Sequence, residues 1–148
     1  MRTWYFSLLL LTLAACSPAE KNAGTLQLDE LRGQWVVINY WAVWCKPCIQ
    51  EIPELNELAE LPQVTVLGVN YDGVTGDELA QQLQKLGVDF PVLTTDPAPQ
   101  LGIARPVVLP TSLVLDPQGK LQGTLVGPQT LESLAAATHQ SIAEPEES

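Results

Sequence analysis

The sequence predicts an α/β domain with a mixed central sheet flanked by helices. Apolar runs of strand length alternate with segments of helical periodicity, in the order β-α-β-α-β-β-α. A helix separates the first two strands, which predicts a parallel crossover unit. A short turn sequence separates the last two strands, which predicts a C-terminal antiparallel hairpin. Parallel and antiparallel pairs are therefore expected in one sheet.

The first half of the domain contains two strands and two helices. Residues 35–42 form a near-continuous run of apolar, β-branched and aromatic residues, typical of a strand covered on both faces. A helical pattern follows at 46–61, and 63–69 predicts a second buried strand. The short helix predicted at 77–86 ends at Gly87, the usual residue for a helix C-terminus.

The second half follows a proline-rich connection. Residues 112–115 and 121–126 predict two strands, and the turn sequence Asp-Pro-Gln-Gly at 116–119 joins them as a hairpin. A last helix is predicted at 130–140, because its apolar residues share one side. These residues are Leu131, Leu134, Ala135 and Thr138.

The composition is that of one folded domain. The chain has 148 residues, of which 46% are hydrophobic and 16% charged, and this excludes a disordered chain. The formal net charge of −10 would repel phosphate groups, so no nucleic-acid partner is expected. Three cysteines and one histidine are too few for a disulfide scaffold or a four-cysteine zinc site. We expect neither a metal nor a cofactor.

Residues 1–15 predict a lipoprotein signal peptide. Arg2 precedes an apolar run at 4–15, which is shorter than the ~20 residues that span a bilayer. Its ending, Leu-Ala-Ala-Cys, resembles the lipobox of bacterial lipoproteins, in which Cys16 would carry the lipid. A plain signal peptide or a buried helix is the alternative. Ser17 resembles an outer-membrane sorting signal. We expect a lipid-anchored protein of the cell envelope that faces the periplasm.

The rest of the chain divides into three parts. Residues 16–25 are polar and show no periodicity, so they predict an acylated N-terminus and a flexible tether. The folded domain is predicted at 26–142. Residues 143–148 are acidic and predict a disordered tail.

Two cysteines lie where the first strand meets the first helix. Directly after Trp44, which belongs to the surroundings of the site, Cys45 is placed at the helix N-terminus, where unpaired N–H groups and the helix dipole favour a thiolate. Lys46 adds a cation, and Pro47 suits a first turn because its missing N–H is not needed there. Cys48 lies one turn further on. The spacing predicts a redox-active pair in which Cys45 is the nucleophile and Cys48 resolves the mixed disulfide.

Two other interpretations of the cysteine pair were open. The cysteines could be structural, or they could be half of a metal site. A metal site would need a second cysteine pair or a histidine cluster, and the chain has only His139, which lies on the last helix and is predicted at the surface. The sequence therefore favours redox chemistry.

Residues 36–48 resemble the active-site strand of thioredoxin-fold proteins, and most closely the TlpA-like group of exported thiol–disulfide oxidoreductases. The resemblance extends over 28–140, and its Trp-Cys-x-Pro-Cys core is specific. Pro53 matches a proline found inside the active-site helix of thioredoxins. The resemblance implies a thioredoxin-like fold and a redox disulfide between Cys45 and Cys48.

The resemblance also implies a cis proline. Leu109, Pro110 and Thr111 precede an apolar strand, as at the cis-proline site of the family, where the proline faces the disulfide. The residues alone allow a trans proline that starts the strand. The segment 102–109 is longer than the usual family loop and rims the active site, so the resemblance implies no substrate preference.

One position departs from the thioredoxin pattern. Asn39 stands where thioredoxins have a buried aspartate, and the TlpA-like group often combines this asparagine with a glutamate three residues after the second cysteine. Glu51 has that position here, and a helical wheel places it at the edge of the buried face. We expect Glu51 to exchange a proton with the thiols. Glu54, Glu57 and Glu60 are predicted to be solvated.

The implied function is a membrane-anchored oxidoreductase that reduces disulfides of exported proteins or acts in cytochrome c maturation. Its partners would be protein thiols or disulfides, a membrane electron donor and, through Cys16, the lipid bilayer. A thiol oxidase of the same fold is one alternative, because Lys46 and Pro47 do not set the redox potential. A Cu(I) metallochaperone that binds through Cys45 and Cys48 is another.

Overall fold

The computed structural model describes residues 22–23 and 28–142, and the predicted α/β fold is confirmed. Its elements are β1 (Asn22–Ala23), a 3₁₀ turn (Leu28–Leu31), β2 (Trp35–Trp41), α1 (Lys46–Ala59), β3 (Val64–Asn70), α2 (Gly76–Leu86), β4 (Val92–Leu93), β5 (Thr111–Leu115), β6 (Leu121–Val126) and α3 (Leu131–Ala137). The predicted order is present, with the two-residue strands β1 and β4 in addition.

The described strands form one six-stranded sheet in the order β1-β4-β3-β2-β5-β6. β2 pairs with β3 in parallel and with β5 in antiparallel orientation, and β5 and β6 form the antiparallel hairpin. Both predictions about strand pairing are therefore confirmed. β2 lies between β3 and β5, and Cys45 follows its C-terminal end. Cys45 therefore lies near the centre of the sheet edge that the strand ends form.

The sheet is covered by different structures on its two faces. All three described helices pack on one face, where Ile52 of α1, Leu83 of α2 and Leu134 of α3 belong to one apolar cluster. On the other face, Leu28 of the 3₁₀ turn and the connection 94–110 cover a second cluster. β2 contributes to both because successive side chains of a strand point to opposite faces.

The observed elements differ from the predicted ones at several ends. α1 ends at Ala59 rather than at 61, and α3 ends at Ala137 rather than at 140. The side-chain hydroxyl of Thr138 donates to the carbonyl of Leu134 at 2.8 Å and closes the last turn of α3. The proline-rich connection contains β4, which is too short to produce a strand pattern in the sequence.

Several predictions about the chain termini lie outside the described residues. These are the signal peptide at 1–15, the lipid attachment at Cys16 and the tail at 143–148. Within the predicted tether, Asn22 and Ala23 pair in parallel with β4. Strand pairing depends on backbone hydrogen bonds and can occur without an apolar side-chain pattern. The polar sequence therefore did not predict β1. Among the described residues, no helix is long and apolar enough to cross a bilayer.

Candidate functional site

Cys45 and Cys48 are joined by a disulfide at the N-terminus of α1. Cys45 is the N-cap residue, and its sulfur accepts a hydrogen bond from the backbone N–H of Cys48 at 3.3 Å. Pro47 lies in the first turn, as predicted. The unpaired N–H groups and the helix dipole therefore act on the Cys45 sulfur, and both stabilise negative charge there.

The two sulfur-bearing residues differ in exposure. Cys45 is 5% exposed and Cys48 is 1% exposed, so a substrate reaches Cys45 first. Lys46 and Pro47 are exposed beside them. Among the described residues, no group of three or more His, Cys, Asp or Glu side chains is arranged to hold a metal ion. His139, predicted at the surface, is exposed and lies against the ring of Trp35 at 4.9 Å.

Glu51 is buried one turn after Cys48, with 1% of its surface exposed. Its Oε1 accepts a hydrogen bond from the side-chain amide of Asn39, and its Oε2 accepts one from the backbone N–H of Gln129 at 2.9 Å. Burial raises the pKa of Glu51 to about 7, although both hydrogen bonds act to lower it. The sequence placed Glu51 at the edge of the buried face, and the structure places it inside.

Asn39 connects Glu51 to the sheet. Its Nδ2 also donates to the hydroxyl of Ser112 at 3.0 Å, since Asn39 and Ser112 are paired across β2 and β5. The Asn39 Oδ1 is buried and has no hydrogen-bond partner among the described residues. Ser112 and Gln129 belong to this site but were missed in the sequence, because neither lies near the cysteines along the chain.

The prediction that Glu54 is a solvated residue is wrong. Glu54 is half-buried, and its Oε2 accepts a hydrogen bond from the backbone N–H of Leu131 at 2.8 Å. α3 packs against α1 and brings this N–H within reach, which a helical wheel of α1 alone does not show. Glu57 and Glu60 are exposed, as predicted.

The Leu109–Pro110 peptide bond is cis, as the resemblance implied. Thr111 pairs with Tyr40 near the end of β2, so Pro110 lies at the sheet edge where the chain enters Cys45. The Pro110 carbonyl accepts from the backbone N–H of Gly127 at 2.9 Å, and this bond ties the proline to the end of β6. The structure therefore brings Pro110 and Thr111 to the disulfide end of the sheet.

Trp44 forms an exposed rim next to Cys45, with 61% of its surface accessible. Its indole N–H donates to the carboxylate of Asp72 at 3.0 Å, and its ring meets Tyr71 edge-on at 6.4 Å. Tyr71 and Asp72 directly follow β3, the parallel neighbour of β2. Neither residue was predicted from the sequence, although the C-terminal ends of adjacent parallel strands meet at one edge of the sheet.

Comparisons with known proteins agree with this geometry. The sequence profile described as "AhpC/TSA family" matches residues 11–124. The thiol-disulfide oxidoreductase ResA of Bacillus thuringiensis (strain Al Hakam) is 34% identical over 113 residues, which are 74% of this chain and 64% of that protein. The protein of the same name from Geobacillus thermodenitrificans is 32% identical over 73% of this chain and 63% of its own length. The chain thus spans less than two thirds of these relatives.

Solved structures give the same fold. A DsbF homologue from Corynebacterium diphtheriae superimposes with a TM-score of 0.65 and 26% identity, covering 76% of this chain and 74% of that one. A secreted thiol-disulfide isomerase from Corynebacterium glutamicum has a TM-score of 0.64 and 29% identity, covering 76% and 73%. These findings confirm the thioredoxin-like fold and the TlpA-like resemblance. Because the family profile covers most of the chain, including Cys45 and Cys48, the chain belongs to the AhpC/TSA family of thioredoxin-fold proteins.

Proposed function

We propose that this protein is a thiol–disulfide oxidoreductase that reduces disulfides of exported proteins. One observation carries the proposal: the Cys45–Cys48 disulfide caps the N-terminus of α1, with the buried carboxylate of Glu51 one turn beyond it. This arrangement combines a stabilised thiolate, a resolving thiol and a titratable group. Relatives named thiol-disulfide oxidoreductase support the same activity.

The first step begins from the reduced form. The Cys45 thiolate attacks one sulfur of the substrate disulfide, a new S–S bond forms to Cys45, and the other substrate sulfur leaves as a thiolate. Cys45 is suited to this role because it is the more exposed cysteine and receives the N–H of Cys48. Trp44 and Pro110 lie at the same end of the sheet and form the surroundings in which the mixed disulfide is held.

The second step is carried out by Cys48. Its thiol gives its proton to the Glu51 carboxylate, and its sulfur attacks the Cys45 sulfur, so the mixed disulfide breaks. The substrate sulfur that was bonded to Cys45 leaves as a thiolate and takes up a proton. Two electrons have moved from the cysteine pair to the substrate, and the Cys45–Cys48 disulfide is formed. A pKa of Glu51 near 7 suits this proton exchange at neutral pH.

The activity is tested with a disulfide-bonded peptide and the reduced protein. We expect one peptide disulfide reduced per protein, with loss of activity in Cys45→Ala. In Cys48→Ala, a mixed disulfide between Cys45 and the peptide should accumulate and be visible by intact mass. Failure of the reduced protein to exchange with the peptide, in the absence of any mixed disulfide, would contradict the proposal.

The direction of the reaction is tested by the reduction potential of the Cys45–Cys48 pair. Equilibration with glutathione buffers should give a value close to that of thioredoxin, about −270 mV, for a reductase. A value near that of DsbA, about −120 mV, would show that the protein is an oxidase.

Titration of the reduced protein with Cu(I) tests the metallochaperone alternative. That alternative predicts tight stoichiometric Cu(I) binding without disulfide exchange.

The proposal includes anchoring of the protein to an envelope membrane by a lipid on Cys16, facing the periplasm. The sequence 13–16 supports it, since Leu-Ala-Ala-Cys ends an apolar run too short to span a bilayer. A reductase held there would have access to exported proteins, apocytochrome c among them. A membrane protein would supply the electrons that reduce the Cys45–Cys48 disulfide again. Intact mass of protein from membranes should show a diacylglycerol-modified Cys16 as first residue. A soluble product that begins elsewhere would contradict anchoring.

A further inference from the structure

An ion pair joins two residues of the connection between β4 and β5, and a hydrogen bond ties that pair to the sheet. The guanidinium of Arg105 contacts the carboxylate of Asp96 at 2.8 Å. The other oxygen of Asp96 accepts a hydrogen bond from the phenolic O–H of Tyr40 at 2.7 Å. Tyr40 is fully buried in β2, so Asp96 is held by a rigid part of the fold. Arg105 is thereby fixed relative to the central strand.

The same arginine reaches the rim of the disulfide site. Its guanidinium lies 4.1 Å from the centre of the Tyr71 ring, and it donates a hydrogen bond to the Tyr71 carbonyl at 2.7 Å. A cation over an aromatic ring is an attractive contact. The Tyr71 ring in turn meets Trp44, the residue before Cys45. Arg105 therefore joins the anchor at Asp96 to the aromatic pair beside the nucleophile.

The residues after Arg105 form an exposed apolar ridge that leads to the cis proline. Val107 is 86% exposed and Val108 is 52% exposed, and the Val108 carbonyl accepts a hydrogen bond from the Thr111 hydroxyl at 2.8 Å. Together with Thr111 and Val126, the ridge lines a cavity of about 310 Å³. The described residues that line this cavity include no charged side chain. Exposed apolar groups gathered beside a reactive site are typical of a contact surface for another chain.

We propose that Arg105 is a positioning residue for polypeptide substrates. Its contacts fix the chain just before the Val107–Val108 ridge and join it to the Tyr71–Trp44 pair, which adjoins Cys45. The inference rests on the proposed function and names its substrate class, which is protein disulfides with apolar residues beside the cysteine. Arg105 does not touch the sulfurs, so a small disulfide that needs only Cys45 is unaffected by its loss.

The test compares two substrates and two arginines. Arg105→Gln removes the contacts to Asp96 and Tyr71, while Arg105→Lys retains a positive charge. Arg32→Gln is a matched control, because Arg32 also pairs with an aspartate, Asp29, at 2.8 Å and contacts a backbone carbonyl, but near the start of β2. The substrates are a disulfide-bonded peptide with apolar residues beside its cysteines and the small disulfide of 2-mercaptoethanol.

We expect Arg105→Gln to raise KM for the peptide about fivefold or more, with kcat and the Cys45–Cys48 potential unchanged within twofold. Arg105→Lys should recover part of the loss, and Arg32→Gln should behave like the unchanged protein. Rates with the small disulfide should stay the same in every variant. The double variant Val107→Ser, Val108→Ser changes only exposed side chains and should also raise KM for the peptide.

An unchanged KM for the peptide in Arg105→Gln would overturn the inference, whatever the valine variant does. An equal loss with both substrates, or a shifted potential, would also overturn it, because that pattern indicates damage to the cysteine pair itself. The proposed function fails separately, if the unchanged protein exchanges with neither disulfide.

Discussion

Asn39 and Glu51 join the central strand to the active-site helix by a buried hydrogen bond between their side chains. The amide of Asn39 donates to one carboxylate oxygen, and the backbone N–H of Gln129 donates to the other. A neutral amide in this position holds the carboxylate without adding charge. Burial then dominates the pKa of Glu51 and raises it to about 7, the range in which a carboxyl group exchanges protons with a thiol.

We predict that Glu51→Gln slows disulfide exchange by about 10²-fold near pH 7, because the proton acceptor for Cys48 is lost. The fold should be retained, since Asn39 can turn its amide and present its unpartnered Oδ1 to the glutamine. Stopped-flow exchange with a peptide disulfide from pH 5 to 9 measures the effect. Glu57→Gln is the matched control, because Glu57 is exposed on the same helix. Equal rates for both variants and the unchanged protein would exclude a role for Glu51 in proton transfer.

The stability of the oxidised protein should fall as pH rises from about 5 to about 8. The folded-state pKa of Glu51, about 7, is above the ordinary 4.5, so the folded state binds more protons between these values. The contribution of Glu51 to the free energy of unfolding is therefore fully present below pH 4.5 and is lost as the pH rises through 7. At 1.36 kcal/mol per pKa unit, the loss amounts to about 3 kcal/mol. Urea unfolding of the protein and of Glu51→Gln at both pH values measures the difference. A decline of the same size in Glu51→Gln would assign it to other groups.

The Cys45 thiol should ionise well below the free-thiol value of about 8.5. Its sulfur caps α1 and accepts from the Cys48 N–H, and both interactions favour the thiolate. The alkylation rate of Cys45 as a function of pH, measured in Cys48→Ala, gives the pKa directly. In the reverse variant, Cys45→Ala, alkylation of Cys48 should be slower and its inflection should lie at higher pH, because Cys48 is only 1% exposed. An inflection for Cys45 at the free value or above it would remove the basis for its role as nucleophile.

Gly68→Ala should destabilise the protein by about 1–3 kcal/mol, because β3 passes close to a buried aromatic layer. A Cβ at residue 68 would lie 2.9 Å from both the Trp41 indole nitrogen and a methyl group of Val92, and 3.1 Å from the Phe90 ring. Gly123→Ala is the control, since a Cβ there meets nothing within 4 Å. Chemical denaturation of both variants measures the change. Equal midpoints would show that the aromatic layer can move aside.

Features of this protein that depend on residues close together in the chain could be predicted from the amino-acid sequence. The strands at the centre of the sheet are near-continuous apolar runs, and the cysteine pair lies within a single helical turn. The turn residues between β5 and β6 mark the hairpin. In each case the local pattern is sufficient, because periodicity, capping and turn conformation act over a few residues.

The residues that complete the site from distant parts of the chain could not be predicted in this way, because folding alone brings them together. Gln129 reaches Glu51 across 78 positions and Arg105 reaches Tyr71 across 34, through contacts that leave no pattern in the sequence. Glu54 was misplaced for the same reason, since a helical wheel describes one helix in isolation. β1 and β4 form because a neighbouring strand offers backbone partners. These features depend on how the elements pack, and packing is set by the whole chain at once.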